Sequence, residues 1–479
     1  MSLAFEETAR SLLSSAGAAT LSQIWRIGVT LATHVALRRM IPPEELGPWF
    51  WIEPFFLILA LVRDLGVPAH VVRDPRRPYG DFLRLQLTWG LAFAALIFVA
   101  APWLARAYHD PEAPMVEMIR VLSAFLAVQG LGAVPLIYFE AELQVVKAIP
   151  AELARNAVFA VVSLSLAWTG FGVWSAVLAH LVAGIVFNAM LWWAVRPALA
   201  NGRLRLEMGT IELRRLGWIG VPLMVMAVLE QLVLKLDAFV LGLRFPNEVV
   251  GTAGLAAFAV FFFSRLLADP IGRALYPAFV RYAHRPKRAF EAYETATLIL
   301  ASFSTPCCFF LFVNAEALVW ILGGEEWTGA AGYLRILSLV PLLRPLTMFG
   351  LEYLLTHHRD RLLIVYTATN FVTLSGAGLL LTRTQLGPEG MAVAGYFPLG
   401  VLVLAWAIRR LDPRGLARLC LRLSGLYATT AALFLPTHLW VDGTWWRFGI
   451  SSVAGLVTLA YAWSRFGDAT LRFFRDQEE

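Results

Sequence analysis

Residues 82–108 read FLRLQLTWGLAFAALIFVAAPWLARAY, with no formal charge between Arg84 and Arg106. A helix rises about 1.5 Å per residue, so a run of this length crosses the roughly 30 Å hydrocarbon layer of a bilayer. Inside lipid the backbone finds no water to bond, which leaves a helix as the spanning form. Comparable runs recur along the whole chain. They are placed at about Leu12–Met40, Leu46–Val62, Phe82–Tyr108, Val116–Phe139, Ala151–Thr169, Phe171–Val195 and Leu216–Leu243. They continue at Gly251–Val280, Tyr293–Leu322, Ala331–Thr356, Arg361–Leu381, Glu389–Ile408, Ala417–Leu435 and Trp446–Trp463. The fold class is therefore all-α and polytopic, with about fourteen transmembrane helices.

Composition agrees. The chain has 479 residues, 58% hydrophobic and 15% charged. A soluble domain carries about a quarter charged residues, so lipid must face much of this surface. The net charge of +6 does not point to nucleic acid, because Lys and Arg gather in alternate loops. Those loops are Arg63–Arg84, Lys147–Arg155, Arg196–Arg215, Arg281–Arg288, Arg359–Arg361, Arg409–Arg422 and the tail after Ser464. The positive-inside rule puts them, and both termini, on the cytoplasmic side of an inner membrane. Opposite loops are acidic, as at Asp110-Pro111-Glu112 and Glu325-Glu326. Trp49 and Trp51, Trp192 and Trp193, and Trp445 and Trp446 fall at expected interfaces, where amphipathic rings suit the headgroups. The first run is too long for a cleaved signal and is expected to stay as a helix. Cys307, Cys308 and Cys420 read as packing residues.

Two segments echo each other. Val67-Pro68-Ala69-His70-Val71 resembles Tyr276-Pro277-Ala278-Phe279-Val280, and the same offset carries Arg26 to Lys235. The expected organisation is a six-helix bundle over 11–196, a second over 214–410, and a terminal helix pair over 415–466.

At the second helix, Pro42-Pro43-Glu44-Glu45-Leu46-Gly47 leads into a run ending Arg63-Asp64-Leu65-Gly66. Lys235-Leu236-Asp237-Ala238-Phe239-Val240-Leu241-Gly242 precedes Tyr276-Pro277-Ala278 in the second half. Leu322-Gly323-Gly324-Glu325-Glu326-Trp327 then leads into Leu334-Arg335-Ile336-Leu337-Ser338. In this order, over about Ser11–Trp463, the chain resembles the polysaccharide or O-antigen flippases (Wzx-like) of the multidrug/oligosaccharidyl-lipid/polysaccharide exporter superfamily. The resemblance implies an undecaprenyl-diphosphate-linked glycan moved from the inner to the outer leaflet, by two bundles rocking about a cationic cavity. It also implies partnership with a polymerase and chain-length machinery.

Ionisable groups inside a bilayer need a reason. Gln23, Arg26, Thr30, Thr33 and His34 form one stripe on the first helix. A guanidinium forks onto phosphate and stays charged, so Arg26 is a substrate-binding candidate; a buried structural pair is the other reading. Arg265, Asp269 and Arg273 share a face of the eighth helix, where Asp269-Pro270 should break or kink it. The binding set is Arg26, Lys235, Arg265, Arg273 and Gln23. Glu53, Glu230, Asp237 and Asp269 are ion-coupling candidates, because a desolvated carboxylate takes up a proton more readily. Glu316, Arg335 and Arg344 are further intramembrane candidates, with a packed helix pair as the other reading of each. His34, His180, His357 and His358 lack metal-ligand spacing, and no metal or other cofactor is expected.

Competing functions differ by what they need. An ATP pump needs a Gly-x-x-x-x-Gly-Lys loop, and none of Lys147, Lys235 and Lys287 follows a Gly. A lipid-linked glycosyltransferase or polymerase would use an acidic pair such as Glu44-Glu45, yet no large outside loop is present. A multidrug exporter or a lipid II exporter of the same superfamily remains a further alternative, the former disfavoured by the cationic stripe.

Overall fold

The structure, a computed structural model, describes residues 23, 25–74, 76–142, 144–209, 213–282, 285–356, 360–396, 399–441 and 443–478. Every regular element among them is helical. Eleven helices among the described residues are long and apolar enough to cross a membrane. Three expected spans lie outside that set. The first has leading residues that are not described, and is helical over 25–40. The twelfth is two short helices, Glu389–Ala394 and Gly400–Leu411. The last is one continuous helix, Thr444–Glu478.

The chain divides into two compact units. One is Met1–Leu232 with Gly242–Gly251, and the other is Val233–Leu241 with Thr252–Glu479.

In the first unit the helices Pro43–Asp64, Tyr79–Ala105 and Met115–Ala141 converge on one buried ion pair. Arg63 is 2% exposed, although its position opens an expected cytoplasmic segment. Its Nε and Nη2 donate to Asp64 Oδ1 at 2.9 and 2.8 Å, and its Nη1 to Leu126 O at 2.8 Å. Gln86 Nε2 donates to the same Asp64 oxygen at 3.0 Å. Gln86 sits in a π-helical turn, Gln86–Gly90, the kind of local rewinding that re-aims a side chain. Gly90 and Gly130 make the room, since a Cβ on either would crowd Gln86 and Arg63.

The Asp-Leu-Gly sequence now has a physical meaning. Leu65 and Gly66 both take left-handed backbone, φ 52° and 67°, and turn the chain into the short helix Val67–Arg73. This turn presses on Gly220 of the helix Leu213–Leu234, where an added Cβ would lie 2.0 Å from Leu65 O. Backbone cannot yield as a side-chain tip can. Gly220→Ala is therefore expected to cost about 1–3 kcal/mol and lower the apparent Tm by several degrees in a thermal shift of the detergent-solubilised chain.

Beyond that helix, Asp74 caps the loop. It accepts from Arg76 N at 2.9 Å, Nε at 3.2 Å and Nη2 at 3.0 Å, with His70 at 3.6 Å. Hydrogen bonds from Arg76 hold its carboxyl below the usual range. A depressed carboxyl stabilises the fold above its unfolded value of about 3.9, and that contribution fades as pH falls through the folded value. Asp74→Asn is expected to lower the neutral plateau of the Tm-against-pH profile, where the carboxylate contributes in full, and to flatten the acid limb below about pH 4.

Trp49 and Trp51 correct an expectation. They are 6% and 4% exposed and lie within the unit rather than at an interface. Trp51 stacks on Phe55 and packs over Gly242, and Trp49 lies 4.8 Å from the His180 ring. Trp193, Trp445 and Trp446 are exposed, as an aromatic belt requires.

The second unit is built round the helix Pro286–Val313. Tyr293 stacks on Tyr353 at 5.5 Å in a core that includes Leu419 and Leu423. The terminal helices Pro413–Trp440 and Thr444–Glu478 pack on this central helix. Glu294 takes Arg418 and Arg422 at 3.4 and 2.8 Å, and Asn314 Nδ2 donates to Ser451 Oγ at 2.8 Å. Arg335 Nη2 donates to Glu316 Oε1 at 2.9 Å, with Arg447 at 3.9 Å from the other oxygen. The Glu316 and Arg335 reading as packed partners is thus met. The expected break at Asp269-Pro270 is not, because Asn247–Tyr282 runs as one helix through it. A proline inside a membrane helix removes one donor, which neighbouring groups absorb.

Candidate functional site

In the first unit three tiers of polar side chains stand among rings. The helix over 25–40 supplies a stripe, because residues about one and two turns apart share a face. At one level Arg38, 2% exposed, lies 5.5 Å over the Phe50 ring and donates from Nη1 to His34 O at 3.4 Å. One turn along, His34 lies 6.3 Å from Phe159, and Phe159 meets His180 edge-on at 4.7 Å. Phe125 closes on His180 at 6.2 Å. Two turns further, Arg26 Nη2 donates to Gln23 Oε1, a neutral partner one turn back. Arg155, on the helix Ile149–Trp168, lies 4.8 Å over Phe187 of the helix Trp174–Ala200.

Glu53 is the acid of this cluster. It is exposed, in the middle of Pro43–Asp64, and its charge reaches both Arg38 and His180. Three arginines and two histidines thus share their surroundings with one acid on a neighbouring helix and with Glu152, a turn from Arg155. That arrangement can hold an anion and can exchange charge with a passing cation.

The other candidates lie apart. Glu230 is exposed on Leu213–Leu234. Lys235 sits where that helix stops and Leu236–Gly242 starts, a break inside an expected single span. Its Nζ lies 5.7 Å over Phe261, and its charge acts on Asp237 without an ion pair between them. Arg265, Asp269 and Arg273 lie on the helix Asn247–Tyr282, but their side chains fall outside the described residues. Glu44 and Glu45 are exposed in a first helical turn, and no three metal-ligating groups gather among the described residues.

Sequence reasoning missed Arg38, Arg155 and His180 as members of the cluster. Arg38 extends the stripe by one turn from His34, which the spacing could have shown. Arg155 closes the basic segment Lys147–Arg155, and nothing local marks the ring that holds it.

Comparison with known proteins follows the same line. A family model described as "Polysaccharide biosynthesis protein" matches residues 36–332. The succinoglycan biosynthesis transport protein ExoT of Rhizobium meliloti is 23% identical over 358 residues, covering 71% of this chain and 68% of that protein. The teichuronic acid biosynthesis protein TuaB of Bacillus subtilis is 21% identical over 355 residues, covering 70% and 69%. Among solved structures, the lipid II flippase MurJ in an inward closed conformation aligns with TM-score 0.73 at 12% identity, over 96% of this chain and 99% of that one. An inward-facing MATE family transporter of the MOP superfamily aligns with TM-score 0.66 at 18% identity, over 82% and 96%. The transport protein, the flippase and the MATE transporter are carriers rather than enzymes.

Proposed function

Because this chain belongs to the polysaccharide biosynthesis protein family, whose model spans residues 36–332, we propose that it is a flippase for an undecaprenyl-diphosphate-linked oligosaccharide. It serves surface polysaccharide biosynthesis in a bacterial inner membrane, with both termini cytoplasmic, beside a polymerase and chain-length machinery. The observation that carries this reading is Arg26. Its guanidinium lies within an apolar helix, and among the described residues its hydrogen-bond partner is the neutral Gln23, which leaves its charge for an anion. A prenyl diphosphate supplies that anion while its tail stays in lipid.

Arg26 and Gln23 hold the headgroup on the first unit. Lys235, Arg265 and Arg273 are the binding groups of the second, and the glycan crosses through water. No nucleotide site is needed if a gradient or the membrane potential resets the carrier. Glu53, Glu230, Asp237 and Asp269 are the groups through which an ion would couple.

Depletion of the chain in its own bacterium tests this. Expected is loss of one surface polysaccharide, with its lipid-linked precursor retained on the inner leaflet and out of reach of an impermeant glycan oxidant. Retention of lipid II instead, with the polysaccharide precursor reaching the outer leaflet, would assign the chain to peptidoglycan export.

A further inference from the structure

We propose that Arg155 is a second anion-binding guanidinium of the first unit, which with Arg26 makes its headgroup site select a diphosphate over a monophosphate. This rests on the flippase reading and names what that site discriminates.

Two contacts fix the register. Phe159 meets His180, and four residues back Arg155 meets Phe187, seven residues on from His180. The helices Ile149–Trp168 and Trp174–Ala200 therefore run antiparallel, as a hairpin would. His34 touches Phe159, so it marks the same level on the helix over 25–40. By alternation that helix runs the same way as Ile149–Trp168. Arg26 lies two turns, about 12 Å, below that level and Arg155 one turn, about 6 Å. Long side chains close that offset, and the charge of Arg26 reaches Arg155.

Nature of the partners separates these two from the architectural cations nearby. Arg63 has Asp64, and Arg77 has Glu142. Among the described residues neither Arg26 nor Arg155 forms an ion pair. Glu152 acts on Arg155 from a turn away on the same helix, while Arg26 repels it. Arg155 is held instead by a ring. A ring offers neither an oxygen acceptor nor a counter-charge, so N–H groups of Arg155 remain for oxygen acceptors. Two like charges on neighbouring helices, each keeping N–H donors beyond the partners described, match two linked phosphates. One phosphate meets only one of them in full.

The purified full chain in detergent would be titrated with farnesyl diphosphate and with farnesyl monophosphate. Wild type is expected to prefer the diphosphate by about tenfold or more. Arg155→Ala should lower diphosphate affinity about tenfold and hold monophosphate within about twofold, while Arg155→Lys recovers part of the loss. Arg155→Gln, which keeps the stem over Phe187, carries the same expectation if Arg155→Ala loses its monodisperse peak. Equal loss for both lipids, or none for the diphosphate, overturns the role of Arg155 alone. A wild-type chain that binds neither lipid overturns this proposal together with the flippase reading.

Discussion

Arg26→Ala is expected to abolish display of the surface polysaccharide at unchanged protein level. The expectation follows from what the side chain does where it sits. A charge inside an apolar helix is costly, and no carboxylate among the described residues offsets it through an ion pair. Gln23 orients the guanidinium but cannot neutralise it. A forked contact with a phosphate is worth about 1.5–3 kcal/mol per charged hydrogen bond, so losing two costs roughly a hundredfold or more in binding. Arg26→Lys keeps the charge and loses the fork, and should display about a tenth of the wild-type glycan. Surface glycan staining, normalised to immunoblotted chain, measures both. Normal display with both variants removes Arg26 from the mechanism.

Arg63→Ala should do more damage to the fold than to any site. It takes the guanidinium from Asp64, which keeps the neutral Gln86 as a donor, and leaves a void where three helices meet. Removing one partner of a buried ion pair costs about 3–5 kcal/mol, because the remaining charge is left without compensation. Asp64 keeps 24% of its side chain exposed, so the lower end, about 3 kcal/mol, is expected. The readout is a fall in apparent Tm and in monodisperse yield. The double replacement Arg63→Met with Asp64→Leu removes both charges and should recover more than half of the lost Tm. A double variant as unstable as Arg63→Ala would place the cost in the hydrogen bond to Leu126 O instead.

Much of this molecule is legible from local sequence, and the rest depends on neighbours brought in from afar. Runs such as 82–108 state their own length and polarity, so helix stands at the described residues of the expected spans, eleven of them long and apolar enough to cross a membrane. The Gln23–Arg26–His34 stripe is also local, being a property of one helix. Trp49 and Trp51 mislead because a tryptophan at a helix start looks interfacial until Gly242 and His180 arrive from other helices. Arg63 and Arg155 mislead in the same way. Each stands near a helix end, where a basic residue is normally solvated, and each is turned inward by a partner that the sequence places far off, Leu126 for one and Phe187 for the other. The break at Lys235, and the one at Asn314 between the helices Pro286–Val313 and Ala315–Gly323, carry no Gly or Pro that would announce them. Asn314 bonds Ser451 on the last helix, which only the fold brings near.

The flippase account stands on Arg26 meeting water and an anion. Its most direct test is chemical access at that position. Arg26→Cys would be made in a chain whose Cys307, Cys308 and Cys420 are replaced by Ser, and treated with a charged, membrane-impermeant thiol reagent in inside-out vesicles. Rapid labelling, slowed by added farnesyl diphosphate and not by farnesol, is expected. A thiol that resists the reagent in sealed and opened vesicles alike would show a dry, packed position and contradict it.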